Sequence, residues 1–200
     1  GVTNVFEGMG KVIAEKMTPE ELAQLESAAC PGCGSCNGMF TANTMACLTE
    51  ALGMSLPYCA TALATSAMKL RIAKETGKKI AELTHKNLTP SQILTRKAFE
   101  NAIAVDMALG GSTNSVLHLS AIAREAGISL PLSLFDEISR RVPHLCNMVP
   151  SGLYDMEDLH NAGGLPALMK ELSPLLHLDA LTVNASTVRE NLQDAKVLND

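Results

Sequence analysis

Two copies of one start signal commit this chain to helices: Thr18-Pro19-Glu20-Glu21 and Thr89-Pro90-Ser91-Gln92. In each, the threonine hydroxyl can accept a hydrogen bond from the amide three residues on. Proline fits the first helical position because no partner exists there for an amide, and the Glu or Gln side chain can reach back to the threonine amide. The first signal predicts a helix to about Ser27. The second precedes Ile93, Leu94, Ala98, Ile103, Met107 and Ala108, whose three-and-four spacing marks one buried face, so a single helix is expected until Gly110-Gly111 stops it. Another is expected from about Ser112, through Val116, Leu119 and Ala123, to a left-handed stop at Gly127. Ser133 with Asp136 starts a further one before Pro143. Met39 to Gly53 and about Thr61 to Lys74 read as helices separated by Ser55-Leu56-Pro57-Tyr58.

Composition points the same way. Hydrophobic residues make up 46% but aromatics only 3%, with no Trp, so Ala, Leu, Ile, Val and Met must fill the core, which favours packed helices over a β-sandwich. The strand candidates are Leu181-Thr182-Val183 and Ile128-Ser129-Leu130, so any sheet is small or borrows strands from elsewhere. A length of 200 residues suits one domain or two small ones. The net charge of −5 argues against a binder of phosphate backbones. No apolar run approaches the roughly 20 residues of a membrane span, and no basic-then-apolar leader opens the chain. A cytoplasmic chain with neither nucleic-acid nor membrane partners is expected. The opening Gly1-Val2-Thr3-Asn4-Val5-Phe6 lacks Met and suggests an excised piece.

Several signals have ordinary explanations. Lys69, Arg71, Lys74, Lys78 and Lys79 read as a solvated helix face, because Glu75 and Glu82 interleave with them. The ten methionines read as adaptable core filler. His85, His118, His144, His160 and His177 show no metal-ligand spacing to one another.

The chemistry concentrates in Ala29-Cys30-Pro31-Gly32-Cys33-Gly34-Ser35-Cys36-Asn37-Gly38, while Cys47, Cys59 and Cys146 are scattered. That crowding is not the spread of a secreted disulfide framework. Thiolates are soft ligands for iron or zinc, and loop amides together with the dipole of a following helix stabilise their charge. Spacing leaves two metal readings open: all three thiols join a fourth group, or one or two act with ligands from outside this sequence. A flexible Gly-rich turn with incidental cysteines is the third.

The run from Pro31 to Met45, then Glu50-Ala51-Leu52-Gly53-Met54-Ser55-Leu56-Pro57, resembles the third cysteine motif of the dihydroxy-acid dehydratases. These are iron–sulfur enzymes of branched-chain amino-acid biosynthesis, related to phosphogluconate and sugar-acid dehydratases. The segments 98–102, 110–119 and 156–164 resemble the same family in the same order. The resemblance implies an α/β, strongly helix-rich fold, part of a three-layer α/β/α N-terminal domain. Residues 1–175 would be the later part of that cluster domain, and 176–200 the approach to a C-terminal β-rich domain.

Carried over residue by residue, the family's third cluster ligand falls on Cys36, the metal-binding candidate, with Cys33 as a secondary one. Many members replace the residues at Cys30 and Cys33. The family's other two cluster cysteines, a magnesium motif and the general base have no counterpart in this sequence. The resemblance implies a two-iron or four-iron cluster and Mg2+, acting on acids such as 2,3-dihydroxy-3-methylbutanoate to give 2-keto acids. It also implies a homodimer of the complete enzyme, with this stretch inactive by itself.

Gly110-Gly111-Ser112-Thr113-Asn114 is the second candidate: the glycines allow close backbone approach. Ser112 or Thr113 can cap a helix whose N-terminus faces a substrate carboxylate. An ordinary helix joint is its alternative, and His118 reads as packing. The competing functions are a sugar-acid dehydratase, a stand-alone metal module on Cys30, Cys33 and Cys36, and an inactive helical scaffold.

Overall fold

The helix Arg96–Leu109 (α6) sits at the centre because its residues beyond the first turn are mostly apolar and small. In the computed structural model, which describes residues 1–34 and 36–198, α6 spans Arg96–Leu109 and buries ten residues, among them Phe99, Ile103, Val105 and Leu109. A helix buried on every side must be surrounded by others. Helices α3 (Thr41–Ala51), α7 (Asn114–Glu125) and α8 (Ser133–Ser139) pack against it. Ala98, Ala102 and Ala108 on α6 and Ala51 and Cys47 on α3 are small enough to let helix axes approach closely. Ser35 of the cysteine turn and positions 199–200 of the C-terminal segment lie outside the described residues.

The remaining helices in chain order are α1 (Val2–Ile13), α2 (Pro19–Ala28), α4 (Ala67–Lys86), α5 (Pro90–Ile93), α9 (Met156–Asn161), α10 (Gly164–Glu171) and α11 (Val188–Asn191). Thr18 caps α2 as its sequence requires, accepting from the Glu21 amide at 3.1 Å while the Glu21 carboxylate accepts from the Thr18 amide at 2.8 Å. Helix α1 pairs with α2 through Gly8, where a Cβ would lie 2.9 Å from the Leu22 side chain. Its outer residues Phe6, Met9 and Ile13 are exposed, Ile13 to 84%.

Three expectations need correction. The helix expected from Pro90 to Gly110 is two helices. Leu94 leaves helical geometry at ψ 84°, and Thr95, whose hydroxyl accepts from the Ala98 amide, starts α6 afresh. The helix expected from about Thr61 begins at Ala67 and runs to Lys86, because Ser66 accepts from the Lys69 amide at 3.2 Å and Asn87 ends the helix in the left-handed region. Residues 60–65 form irregular turns instead. Finally, no ladder forms among the described residues: Leu181 makes one isolated bridge to Thr187, Met148 another to Tyr154, and Ile128–Leu130 is irregular. Three residues without a neighbouring strand bury too little to hold extended pairing.

The segment after 176 packs onto the same core through Ala180, Val188, Leu192 and Ala195. Asn101, fully buried on α6, ties it down: its side-chain amide donates to the His177 carbonyl at 3.1 Å and its oxygen accepts from the His177 amide at 2.7 Å. Asn101→Ala strips both bonds and leaves buried backbone groups unpaired, so urea unfolding should show a loss of about 2–4 kcal/mol. A loss under 0.5 kcal/mol would mean that Asn101 holds nothing.

Candidate functional site

The cysteine turn is closed by a side chain from the helix that follows it. Asn43, buried in the first turn of α3, donates to the Cys36 carbonyl at 2.5 Å and to the Gly38 carbonyl at 2.6 Å. Both amide protons are used, which bends residues 36–38 back over the helix N-terminus. The half-buried Cys36 thiol lies 3.7 Å from the Gly38 carbonyl, whereas Cys30 and Cys33 are exposed. Backbone bonds then dock the turn: Met39 donates to the Val149 carbonyl at 2.6 Å, and Met156 donates to the Asn37 carbonyl at 2.8 Å. Gly38 makes this approach possible, since a Cβ there would sit 2.9 Å from the Val149 carbonyl oxygen.

Cys33 and Cys36 line a cleft of about 340 Å³. Its opposite wall is the irregular stretch 60–65 with Lys69 of α4, and Asp155 and Glu157 at the start of α9 form its rim. Lys69 therefore leaves the solvated face expected for it and donates to the Cys59 carbonyl at 2.6 Å. Other charges of α4 stay in solvent, where Lys78 pairs with Glu75 and Lys79 with Glu82. Among the described residues, no three His, Cys, Asp or Glu side chains converge on one point as a metal cage. Cys30 and Cys33 are exposed, and of these two Cys33 shares the cleft with Cys36.

The second candidate segment meets the first on α3. The Ser112 amide donates to the Thr44 hydroxyl at 3.0 Å, the Ser112 and Thr41 hydroxyls lie 3.1 Å apart, and the Asn114 side chain donates to Thr41 at 2.8 Å. Ser112 also accepts from the Asn114 amide at 3.3 Å, while Thr113 at the N-cap position makes no side-chain cap. Gly111 permits the contact. A Cβ there would fall 2.8 Å from Thr44 and 2.1 Å from the Asp106 carboxylate.

Asp106 lies beneath this joint, 4% exposed, with one oxygen accepting from Ser115 at 2.6 Å and the other, Oδ1, without a partner among the described residues. Burial pushes its pKa up to about 6, and the Ser115 bond opposes that rise. Sequence reasoning passed over Asn43, Asp106 and the 60–65 wall. Two of these had a signal: an Asn in the first turn after a Gly-rich loop can reach back to loop carbonyls, and Asp106 interrupts the apolar face of α6 between Ile103 and Leu109.

Comparison with known proteins points to one family. Residues 1–191 match the family described as dihydroxy-acid/6-phosphogluconate dehydratase N-terminal. A curated dihydroxy-acid dehydratase of Caldanaerobacter subterraneus subsp. tengcongensis is 58% identical over 99% of this chain and 36% of its own length. Those of Acetivibrio thermocellus and Pyrococcus abyssi are also 58% identical, over 98% and 100% of this chain. The chain spans about a third of the length of these relatives.

The buried Asp106 makes stability depend on pH with a defined sign. Its folded pKa, about 6, lies above the ordinary 3.8, so its contribution is fully present below pH 3.8 and is lost as pH rises through 6. Asp106→Asn removes the charge. The variant should match the wild type near pH 4 and exceed it at pH 7.5 by roughly 2–3 kcal/mol in urea unfolding. A difference that stays constant with pH would sink this account.

Proposed function

The chain belongs to the dihydroxy-acid/6-phosphogluconate dehydratase family, and from that membership we infer that it forms the cluster-bearing part of a hydro-lyase that converts 2,3-dihydroxy acids to 2-keto acids. The observation that carries the reading to a site is the Cys36 turn, a half-buried soft thiol on a loop pinned by Asn43 at the edge of a 340 Å³ cleft. We place the enzyme in the branched-chain amino-acid route to valine and isoleucine, in the cytoplasm, as a homodimer. The helices described above would form one part of a three-layer α/β/α domain over residues 1–175, with 176–200 leading toward a β-rich partner domain. Among the described residues no helix is long and apolar enough to cross a membrane.

The donor chemistry fits an iron–sulfur cluster. Cys36 would hold it, with Cys33 the second thiol on the same cleft, and the remaining ligands would come from elsewhere in the protein. When bound, the cluster supplies a Lewis-acidic iron for the departing hydroxyl, and magnesium a clamp for the substrate carboxylate.

The reaction breaks the C2–H bond and the C3–O bond, releases water, and leaves an enol that becomes the 2-keto acid. The chain's own residues serve it by position. Asn43 fixes the carbonyls on either side of the Cys36–Gly38 bend, so the thiol keeps one direction. The N-terminus of α3 has no side-chain cap on Phe40, and its dipole favours negative charge at the turn. Thr41, Ser112 and Asn114 bond the 110–114 loop to that same helix end, and Ser112 and Thr113 are proposed as the residues nearest the substrate. The general base is proposed to lie outside this chain.

Cys36→Ser in the protein at its natural length should abolish visible absorption from a cluster and dehydration of 2,3-dihydroxy-3-methylbutanoate, while Cys30→Ser retains both. Cys33→Ser reports whether the second thiol takes part. Full iron and sulfide content in Cys36→Ser, or turnover of aldonates in preference to the branched acid, would overturn the assignment.

A further inference from the structure

A carboxylate remote from the cysteine turn holds the opposite wall of the cleft. Glu50, in the last turn of α3, is 7% exposed, and its two oxygens accept from the amides of Tyr58 at 2.8 Å and Ala60 at 2.9 Å. Between those amides, the Cys59 carbonyl accepts from Lys69 of α4 at 2.6 Å. Three successive residues are thus gripped by two side chains from two helices. The grip has something to hold: Tyr58 sits at φ 67°, a left-handed conformation that bulky residues rarely adopt.

From this bend the chain runs directly into the 60–65 wall, where Thr61 lies 3.3 Å from His160 of α9. The wall also touches the cysteine turn itself. At Gly34, φ 107°, an added Cβ would lie 2.7 Å from the Ala64 methyl group. A displacement of Ala64 is therefore felt two residues from Cys36.

We propose that Glu50, together with Lys69, is a positioning residue that sets the 60–65 wall against the cysteine turn and so fixes the cleft in which Cys36 sits. Its meaning for catalysis rests on the cluster reading above; the geometry of the wall does not. The ionised carboxylate is the better clamp, since it offers acceptors to both amides, whereas the protonated form turns one oxygen into a donor. Burial pushes Glu50 up to about 7, against the pull of the two amides and Lys69. The titratable groups that face it are Cys47 on α3, Tyr58 and Lys69, with Asp194 beyond Tyr58. From the C-terminal side it meets uncharged Pro166, Met169, Thr182 and Asn191.

This arrangement separates positioning from plain structural support. A raised carboxyl pKa means that the global stability contributed by Glu50 is fully present below its ordinary 4.5 and falls as pH rises through 7. Local opening of the wall leaves Glu50 buried and removes only its two amide bonds, which favour the ionised form, so the clamp strengthens over the same interval. Hydrogen–deuterium exchange in the protein at its natural length reads the two apart. Glu50→Gln should speed exchange of residues 58–60 by about tenfold at pH 8 and leave residues 103–108 of α6 unchanged. The wild type, corrected for intrinsic chemical exchange, should loosen in the same segment between pH 8 and pH 6, and the variant should show no such step. Bound iron per chain should fall at least about twofold in Glu50→Gln.

Unchanged exchange at 58–60 in Glu50→Gln would overturn the proposal, whatever the iron content. Should Glu50→Gln fail to fold, Lys69→Met, which removes the Cys59 bond and the positive charge near Glu50, carries the same test with the same expected local loosening. If the wall loosens as expected but reconstituted wild-type protein holds no iron, the positioning role stands and the cluster reading falls.

Discussion

The packing of α3 on α6 anchors the cleft, because the cysteine turn and the bend that leads into the opposite wall are bonded to the two ends of α3. At its N-terminus Asn43 closes the cysteine turn, and Thr41 and Thr44 hold the 110–114 loop. At its C-terminus Glu50 holds the bend that leads into the opposite wall. The helix itself is held by Cys47, Leu48 and Ala51, each at most 1% exposed against the alanine-rich centre of the core. Rigid positioning of a thiol on a loop is difficult by loop contacts alone; here the loop inherits the order of a buried helix.

Two buried carboxylates flank this arrangement, and neither is placed as stability alone would place it. Glu50 carries a raised pKa near 7 although its oxygens are bonded. Asp106 carries one near 6 with one oxygen unpartnered among the described residues. Apolar residues of similar size would remove the desolvation penalty in both places. What they would not supply is the pair of acceptors for Tyr58 and Ala60, or the bond to Ser115 beneath the joint of α6 and α7. The polar groups specify where two irregular segments lie, which apolar packing does poorly.

Local signals were readable in the sequence to the extent that they depend on local chemistry. Thr18 with Glu21 produced α2, and the Gly127 stop appears at φ 72° just beyond α7. The same device at Thr89 misled, since its capping box forms but α5 lasts only four residues before Leu94 turns out and Thr95 begins again. A threonine six residues after a strong cap is easily passed over as part of the same helix. The Ala-rich stretch after Thr61 had helix propensity throughout, yet Glu50 and Lys69 hold the bend that leads into it in a conformation that propensity does not encode. The three-thiol spacing singled out a segment without ranking its members.

What ranks the thiols is the backbone beneath them rather than their spacing. A ligand thiol is useful when its direction is fixed before the metal arrives, since otherwise binding must also order the loop. Cys36 meets that requirement through its own carbonyl, held by Asn43, and through the neighbouring Met39 amide on Val149. Cys30 and Cys33 are exposed, and Cys30 takes a positive φ of 53°. The two-residue spacing of the cysteines therefore marks a tight Gly- and Pro-rich turn, and of the two thiols that line the cleft Cys36 is the one whose backbone Asn43 secures.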